Sequence, residues 1–236
     1  MAERAEKKST IILRSAQEVK KYTLRQKIVR TAIASMVILA IIIYLISVLY
    51  TKTGSFTVSI NKFDATQYAL TLSESRDFYT QTALLNAEIS KEITNISESW
   101  LPDDLDNNTG GAHNGQNHVA YTFFLKNAGE ATVTYNYQMY IVNIKNDLDR
   151  AIRIRLYIDG KWTNYARTAS DGSGAEPGTT EFLTERIVTQ GAVADFEPGD
   201  VTKYTVVIWI EGDDPDCLDD LIGGELKVAM DFDIVK

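Results

Sequence analysis

After residue 52, apolar and polar residues alternate along much of the chain. Phe56, Val58 and Ile60 alternate with polar residues. The same pattern recurs in residues 121–125, 135–141, 152–158 and 226–234. A period of two predicts β-strands with one buried face and one face in water, so Arg153 and Arg155 are expected on a wet face. Residues 204–210 (YTVVIWI) are apolar on both faces of a strand and predict a central strand.

Turn-forming residues separate these predicted strands. They occur at residues 127–129 (NAG), 159–160 (DG), 171–174 (DGSG) and 197–200 (EPGD). Short strands between such turns are typical of an all-β domain, either an antiparallel sandwich, a jelly roll or an Ig-like fold. Three other segments break the pattern. Residues 215–222 predict a short helix with Asp214 as its N-cap and Gly223 as its stop. Residues 76–100 predict an irregular excursion, and residues 103–117 an exposed loop.

The longest apolar segment is residues 31–51, which contain no charged residue and lie between Arg30 and Lys52. At about 1.5 Å per residue, a helix of this length spans roughly 30 Å, the thickness of the hydrocarbon core of a bilayer. The segment therefore predicts a single transmembrane helix. Its length, and the poor cleavage site at residues 51–53, favour an uncleaved anchor over a signal peptide.

Charge is distributed very unevenly about this segment. Residues 1–52 hold ten basic residues against three acidic ones, whereas residues 53–236 hold fourteen against twenty-nine, a net charge of −15. The positive-inside rule places a basic tail (1–30) in the cytoplasm, a transmembrane helix (31–51) in the plasma membrane and a β-sandwich domain (52–236) outside the cell. The lipid bilayer is thus an expected partner. The acidic domain argues against nucleic-acid binding, which needs a basic surface.

Catalytic motifs are scarce in this sequence. The single cysteine, Cys217, excludes an internal disulfide and is expected to be a buried apolar residue. His113 and His118 lie in a Gly/Asn-rich loop without a zinc-protease motif. There is also no Gly-x-Ser-x-Gly motif around a serine nucleophile. We therefore expect no enzymatic activity and no catalytic residues.

Two acidic loops could hold calcium, which prefers six to eight oxygen ligands. The first contains Asp213, Asp214, Asp216, Asp219 and Asp220, and the second contains Asp103, Asp104, Asp106 and Asn108. Neither matches the EF-hand pattern. The first loop is the candidate metal site, and no other cofactor is expected. The alternative is that Asp214 caps the predicted helix and Asp216 lies near the positive end of its dipole.

Three segments resemble a group of exported proteins of clostridia-like Gram-positive bacteria. They are residues 199–232 (GDVTKYTVVIWIEGDDPDCLDDLIGGELKVAMDF), 121–130 (YTFFLKNAGE) and 151–160 (AIRIRLYIDG). Residues 123–127 (FFLKN) are similar, more distantly, to a strand of the camelysin-like biofilm-fibre proteins. The resemblance implies an exported or membrane-anchored sandwich and brings no zinc motif with it. The long basic tail departs from the fibre proteins.

Three functions of the outer domain fit these patterns, besides a signalling role of the basic tail, which would need a cytoplasmic partner. The first is a single-pass module anchored at the cell surface, with a binding or structural role and no catalysis. Its partner would be an envelope component, or a second copy joined through an exposed edge strand. The second is a secreted fibre subunit, released by signal peptidase and assembled by strand addition. The third is a metal-dependent envelope enzyme that uses the acidic loops.

Overall fold

The structure is a computed structural model, and it describes residues 21, 24–45, 56–87, 92–107 and 109–235. The chain divides into two compact units, Met1–Lys52 and Thr53–Lys236, and each is described by itself.

The first unit contains one long helix, α1, at Leu24–Leu45. Its 22 residues are long and apolar enough to cross a membrane, a test that a signal sequence near an N-terminus would also pass. Its large apolar side chains are exposed all round, as expected for a helix surrounded by lipid. The helix begins before the predicted start at residue 31, since residues 24–30, which include Arg25, Lys27 and Arg30, are already helical. The predicted end at residue 51 lies outside the described residues.

The second unit is a β-sandwich. Its described residues form twelve strands and one short helix, α2, at Lys62–Gln67. The strands are β1 (Phe56–Ile60), β2 (Leu70–Ser73), β3 (Leu84–Ala87), β4 (Gly111–Ala112), β5 (His118–Asn127), β6 (Val133–Lys145), β7 (Ile152–Ile158), β8 (Lys161–Ala166), β9 (Thr180–Glu181), β10 (Ile187–Phe196), β11 (Val201–Ile210) and β12 (Glu225–Ile234).

The strands form two sheets. The five-stranded sheet has the order β10-β6-β12-β1-β3. The seven-stranded sheet has the order β2-β5-β11-β7-β8-β9, with β4 also paired to β5. Most neighbours are antiparallel, as predicted, but β1 and β12 are parallel, and so are the short pair β8 and β9. The predicted all-β sandwich preceded by an apolar helix is confirmed.

The main core lies between the two sheets and is rich in aromatic rings. Phe123 stacks on Tyr204 with ring centroids 5.3 Å apart, and Phe232 meets Tyr204 edge-on at 5.2 Å. The buried hydroxyl groups of Tyr135 and Tyr204 are 2.9 Å apart and form a hydrogen bond. The core therefore combines a large apolar area with satisfied polar groups. The period-two prediction is confirmed for β1 and β12, whose apolar positions face this core.

The turn between β7 and β8 shows how the sequence sets strand pairing. Asp159 and Gly160 both have positive φ, at 47° and 83°. Two positive φ values in a two-residue loop match the right-handed twist of the flanking strands, and Asp-Gly is a favoured pair there. The turn fixes the register that places Tyr157 opposite Trp162.

The helix predicted over residues 215–222 is wrong. The structure has only a short 3-10 turn at Asp219–Leu221. The carboxylate of Asp214 accepts a hydrogen bond from the backbone N–H of Asp216 at 2.7 Å, but its other oxygen binds Arg153. That distant partner holds the segment as an irregular loop in place of a helix.

The loop predicted at residues 103–117 is only partly exposed. Leu105 is buried, and β4 within this loop pairs with β5. The reason is that part of the loop covers the seven-stranded sheet, as described next.

Candidate functional site

The outer face of the seven-stranded sheet is covered over β5, β11 and β7, so it is not open to water there. A segment that we call the strap, residues 96–107, lies across it. Its apolar side chains form a second buried cluster with those of the sheet. The cluster contains Ile96, Leu101 and Leu105 from the strap and Ala120, Tyr157, Val207 and Trp209 from the sheet. The prediction that Arg153 and Arg155 face water is therefore wrong, since both are buried. The outward residues of β5 are mostly buried for the same reason.

Backbone hydrogen bonds fix the first end of the strap to the end of β11. The N–H of Ile96 donates to the carbonyl of Ile210 at 2.9 Å, and the N–H of Gly212 donates to the carbonyl of Ile96 at 2.9 Å. The N–H of Glu98 donates to the Glu211 carboxylate at 3.0 Å. The strap thus begins with a single parallel bridge between Ile96 and Glu211, just beyond the end of β11.

Side chains fix the second end of the strap. The hydroxyl of Thr205 donates to the Asp106 carboxylate at 2.7 Å. The ammonium group of Lys203 also lies 3.2 Å from that carboxylate. Both partners stand on β11, so the strap is attached at both ends to a central strand of the sheet.

Arg155 is the centre of the charged cluster beneath the strap. Its Nε donates to Asn164 Oδ1 at 2.7 Å, and its Nη2 forms an ion pair with Glu98. The guanidinium also lies 4.3 Å from the ring centroid of Trp162 and 5.5 Å from that of Trp209. A buried arginine with a carboxylate, an amide and two indole faces around it is compensated, because each contact replaces water.

The buried carboxylate of Glu211 organises the end of β11. Glu211 accepts hydrogen bonds from Trp209 Nε1 at 2.9 Å and from the N–H of Asp213 at 3.2 Å, besides the one from the strap. Next to it, Arg153 Nη2 donates to Asp214. Residues 209–214 therefore serve as the structural anchor for both the strap and the acidic loop.

The five aspartates of the predicted calcium loop have different surroundings. Asp214 pairs with Arg153, while Asp216 accepts hydrogen bonds from the backbone N–H of Ser170, at 2.8 Å, and from its hydroxyl. These bonds from Ser170 lower the pKa of Asp216. Asp220 lies 3.6 Å from Arg150, and Asp213 and Asp219 are exposed. Among the residues that the structure describes, no group of three or more His, Cys, Asp or Glu side chains could hold a metal ion. The calcium site stays a prediction.

The other candidate ligands are also separated. Asp103 and Asp104 are exposed, Asp106 holds the strap, and Asn108 lies outside the described residues. The ring of His113 bonds to the carbonyl groups of Gly111 and Leu105, whereas His118 is buried in β5. Burial lowers the pKa of His118 and keeps its imidazole neutral.

Cys217 is partly buried and packs against the main core. Burial, with Asp214 and Glu211 nearby, raises the pKa of its thiol. A raised pKa lowers the fraction of reactive thiolate, so the expected role as a small apolar residue fits its surroundings.

The outer face of the five-stranded sheet is polar. The hydroxyl groups of Ser59 and Tyr140 donate to the Asp231 carboxylate at 2.6 and 2.8 Å. Gln138 Nε2 donates to Gln190 Oε1 at 3.2 Å on the neighbouring strand. These side chains bond to one another across strands, which is how polar pairs stabilise a wet sheet face.

Two tryptophans, one in the strap and one on β8, are exposed, and the alternation of apolar and polar residues did not identify them. Trp162 on β8 is 51% exposed, and Trp100 in the strap is 75% exposed. Trp162 and Asn164 are two residues apart, so a strand over residues 161–166 places them on the same face of the sheet. The alternation alone could not tell which face that is. The signal that could have drawn attention to them is the rarity of tryptophan, of which the chain has three.

Comparisons with known proteins show no family for this chain. No protein-family model matches it, and no curated protein matches it. Among solved structures, it is similar over 67% of its length to an alpha-xylosidase from Xanthomonas citri, with 11% identity and a TM-score of 0.24. It is similar over 68% of its length to a beta-glucosidase from Kluyveromyces marxianus, with 9% identity and a TM-score of 0.24. The chain spans 13% and 15% of the length of these two proteins, and likenesses this low assign no function.

Proposed function

We propose that this protein is a single-pass module anchored in the plasma membrane, which displays its β-sandwich outside the cell for binding. The observation that carries the proposal is the succession of two units with opposite solvent preferences. Helix α1 exposes apolar side chains on every side, whereas the sandwich that follows has a sealed core and an acidic surface. A helix that is apolar all round is stable in lipid, and a charged sandwich is stable in water.

Charge supports the orientation of this anchor. Arg25, Lys27 and Arg30 lie in the first third of α1, and ten basic residues precede residue 53 against three acidic ones. Cations near the end of a membrane helix favour the cytoplasmic side. The proposal therefore places the N-terminus inside the cell and the sandwich outside. The resemblance to exported proteins of clostridia-like bacteria agrees with this placement.

A binding role is favoured by how the sandwich uses its charged side chains. The carboxylates of Glu98 and Asp214 are each paired with a buried arginine, so they stabilise the strap and its anchor. The strap and β8 then each present one exposed aromatic ring, Trp100 and Trp162, and exposed aromatic rings are common in recognition surfaces.

Protease treatment of intact cells tests this proposal. The full-length chain carries one epitope tag at each end. External protease should remove the C-terminal tag and leave a protected N-terminal fragment, and both tags should be lost after the cells are permeabilised. Protection of the C-terminal tag in intact cells would contradict the proposal.

A secreted fibre subunit is the second candidate, and strand β10 favours it. Among the described strands, β10 pairs with β6 alone, so its other edge is open. Its ten residues include Gly191, Ala192 and Ala194, and they contain no proline or lysine. Proline and lysine usually protect an open edge from pairing with another chain, and β10 lacks both, but two register shifts, at Ile187/Thr189 and Val193/Phe196, bend the strand. Mass spectrometry of the native N-terminus separates the candidates, since a mature protein that begins near residue 53 would favour the fibre subunit.

A further inference from the structure

We propose that Trp162 and the Glu98 carboxylate, which the buried Arg155 and Asn164 hold in place, bind a neutral carbohydrate chain. This inference deepens the proposed function and rests on it, because it names the class of ligand that the displayed sandwich would bind. It uses the exposed rim of the strap and leaves the acidic loops aside.

The first argument is the rigidity of Trp162. One face of its indole lies on the Arg155 guanidinium, at 4.3 Å from the ring centroid. Arg155 is itself held by Asn164 and Glu98, with Trp209 at 5.5 Å. The ring therefore loses little conformational entropy when a ligand packs on it, which is the general advantage of a pre-organised site.

The second argument is the exposed area. About half of the Trp162 side chain remains in water, although its partner face is packed. A large aromatic ring fixed at the surface has an unfavourable contact with water that a ligand can relieve. The C–H faces of sugar rings are flat and weakly apolar, and they pack on indole rings in this way.

The third argument is the polar group beside the ring. The Glu98 side chain is 43% exposed. Its Oε1 accepts from Arg155 and from Asn164 Nδ2, the latter at 2.8 Å. Because both bonds use Oε1, Oε2 remains outside them and can accept from a ligand hydroxyl group. A fixed carboxylate beside an aromatic ring suits a ligand that offers hydroxyl groups next to an apolar face.

The charges of the domain and of Arg155 favour a neutral ligand over an anionic or a cationic one. The net charge of −15 over residues 53–236 repels anionic polymers. The same net charge attracts cations, but the Arg155 guanidinium on the inner face of the indole repels a cation on the outer face. Trp100, two residues after Glu98 in the strap and 75% exposed, supplies a second exposed aromatic ring. A chain of several sugar units is therefore a better match than a single sugar.

The test uses the full-length chain in lipid nanodiscs, which avoids detergents with sugar headgroups. Calorimetric titration compares two neutral hexasaccharides, cellohexaose and hexa-N-acetylchitohexaose, with the anionic hexamer of galacturonic acid. At least one neutral hexamer should bind, and Trp162→Ala should weaken its binding about tenfold or more, as for a central aromatic contact. The matched control, Tyr79→Ala, changes an exposed aromatic residue in the turn after β2 and should leave binding unchanged.

A second measurement on the unsubstituted protein avoids any folding defect of the variant. Each of the three tryptophan side chains contributes one indole N–H signal to a nuclear magnetic resonance spectrum. The bound hexamer should shift the Trp162 signal and leave that of the buried Trp209 largely unchanged. The inference is overturned if neither neutral hexamer binds at millimolar concentration, if the galacturonate hexamer binds instead, or if Trp162→Ala binds normally. Any of these results with normal protease accessibility would remove the ligand class and keep the anchored topology.

Discussion

Arg153 donates a hydrogen bond to Asp214 across 2.5 Å, and the two side chains are almost completely buried, at 4% and 2% exposure. The pair connects β7 to the loop after β11, beside the point where the strap joins the sheet. A buried ion pair contributes little over an apolar pair of the same shape, but the loss of one partner leaves a charge without compensation.

The first prediction follows from this pair. Asp214→Ala should lower the free energy of unfolding of the sandwich by about 3–5 kcal/mol, because Arg153 would be left buried and unpaired. Denaturant unfolding of the full-length chain measures the change. The control is Glu225→Ala, which removes the exposed pair with Lys145 and should cost no more than about 1 kcal/mol. Equal effects of the two substitutions would contradict the buried pair.

The second prediction concerns the attachment of the strap. Glu211→Ala removes the acceptor of the Glu98 N–H and of Trp209 Nε1, and the lost hydrogen bonds should cost about 1–3 kcal/mol. Hydrogen exchange should become faster in residues 96–107 and stay slow in β1 and β12. Glu197→Ala, in the exposed turn before β11, is the control. Uniformly faster exchange throughout the sandwich would argue that the strap does not open separately.

The third prediction concerns alkaline pH. Partial burial, with the hydrogen bond to Asp231, raises the pKa of Tyr140 from 10.0 to about 12. A group whose pKa is higher in the folded state than in the unfolded state stabilises the fold. This stabilisation is complete below the pKa of the unfolded state and is lost as the pH rises through the pKa of the folded state. The free energy of unfolding should therefore fall between about pH 10 and pH 12. Tyr140→Phe should make that fall smaller, and parallel curves for the two proteins would contradict the assignment.

The fourth prediction concerns calcium at the acidic loop. Because Asp214 is paired with Arg153 and Asp216 is bonded to Ser170, we expect millimolar calcium to leave the melting temperature unchanged. A ligand at one hundred times its Kd would stabilise the fold by about 2.7 kcal/mol, which a melting curve would detect. A rise in melting temperature that Asp219→Asn abolishes would contradict this expectation and support the predicted calcium site.

The sequence could predict the strands that have unlike faces. In β1 and β12, the alternation follows directly from a core on one side and water on the other. The doubly apolar β11 was also predictable, because a strand with neighbours on both edges and cover on both faces has no wet positions.

The covered face was not predictable from local patterns. In β7, arginines alternate with apolar residues as in any half-wet strand, and only partners far away in sequence, Glu98 and Asp214, make their burial possible. The strap has no period of its own, since its apolar residues follow the shape of the sheet below. The false helix at residues 215–222 has the same origin, because Asp214 has the features of an N-cap but binds Arg153.

The sequence patterns did not predict the exposed ring of Trp162, for a related reason. Its position depends on the stacking with Arg155, a residue that the pattern placed in water. Local periodicity predicts which residues leave water, but the tertiary contacts decide which charged residues accompany them.

Labelling of intact cells with a membrane-impermeant maleimide tests the anchored topology most directly. Cys217 is first replaced by serine, and a single cysteine is then introduced either at Tyr79 in the sandwich or at Lys21 before α1, both of which are exposed positions. The account predicts that Tyr79→Cys is labelled on intact cells and that Lys21→Cys is labelled only after permeabilisation. Labelling of Lys21→Cys on intact cells, with Tyr79→Cys protected, would contradict it.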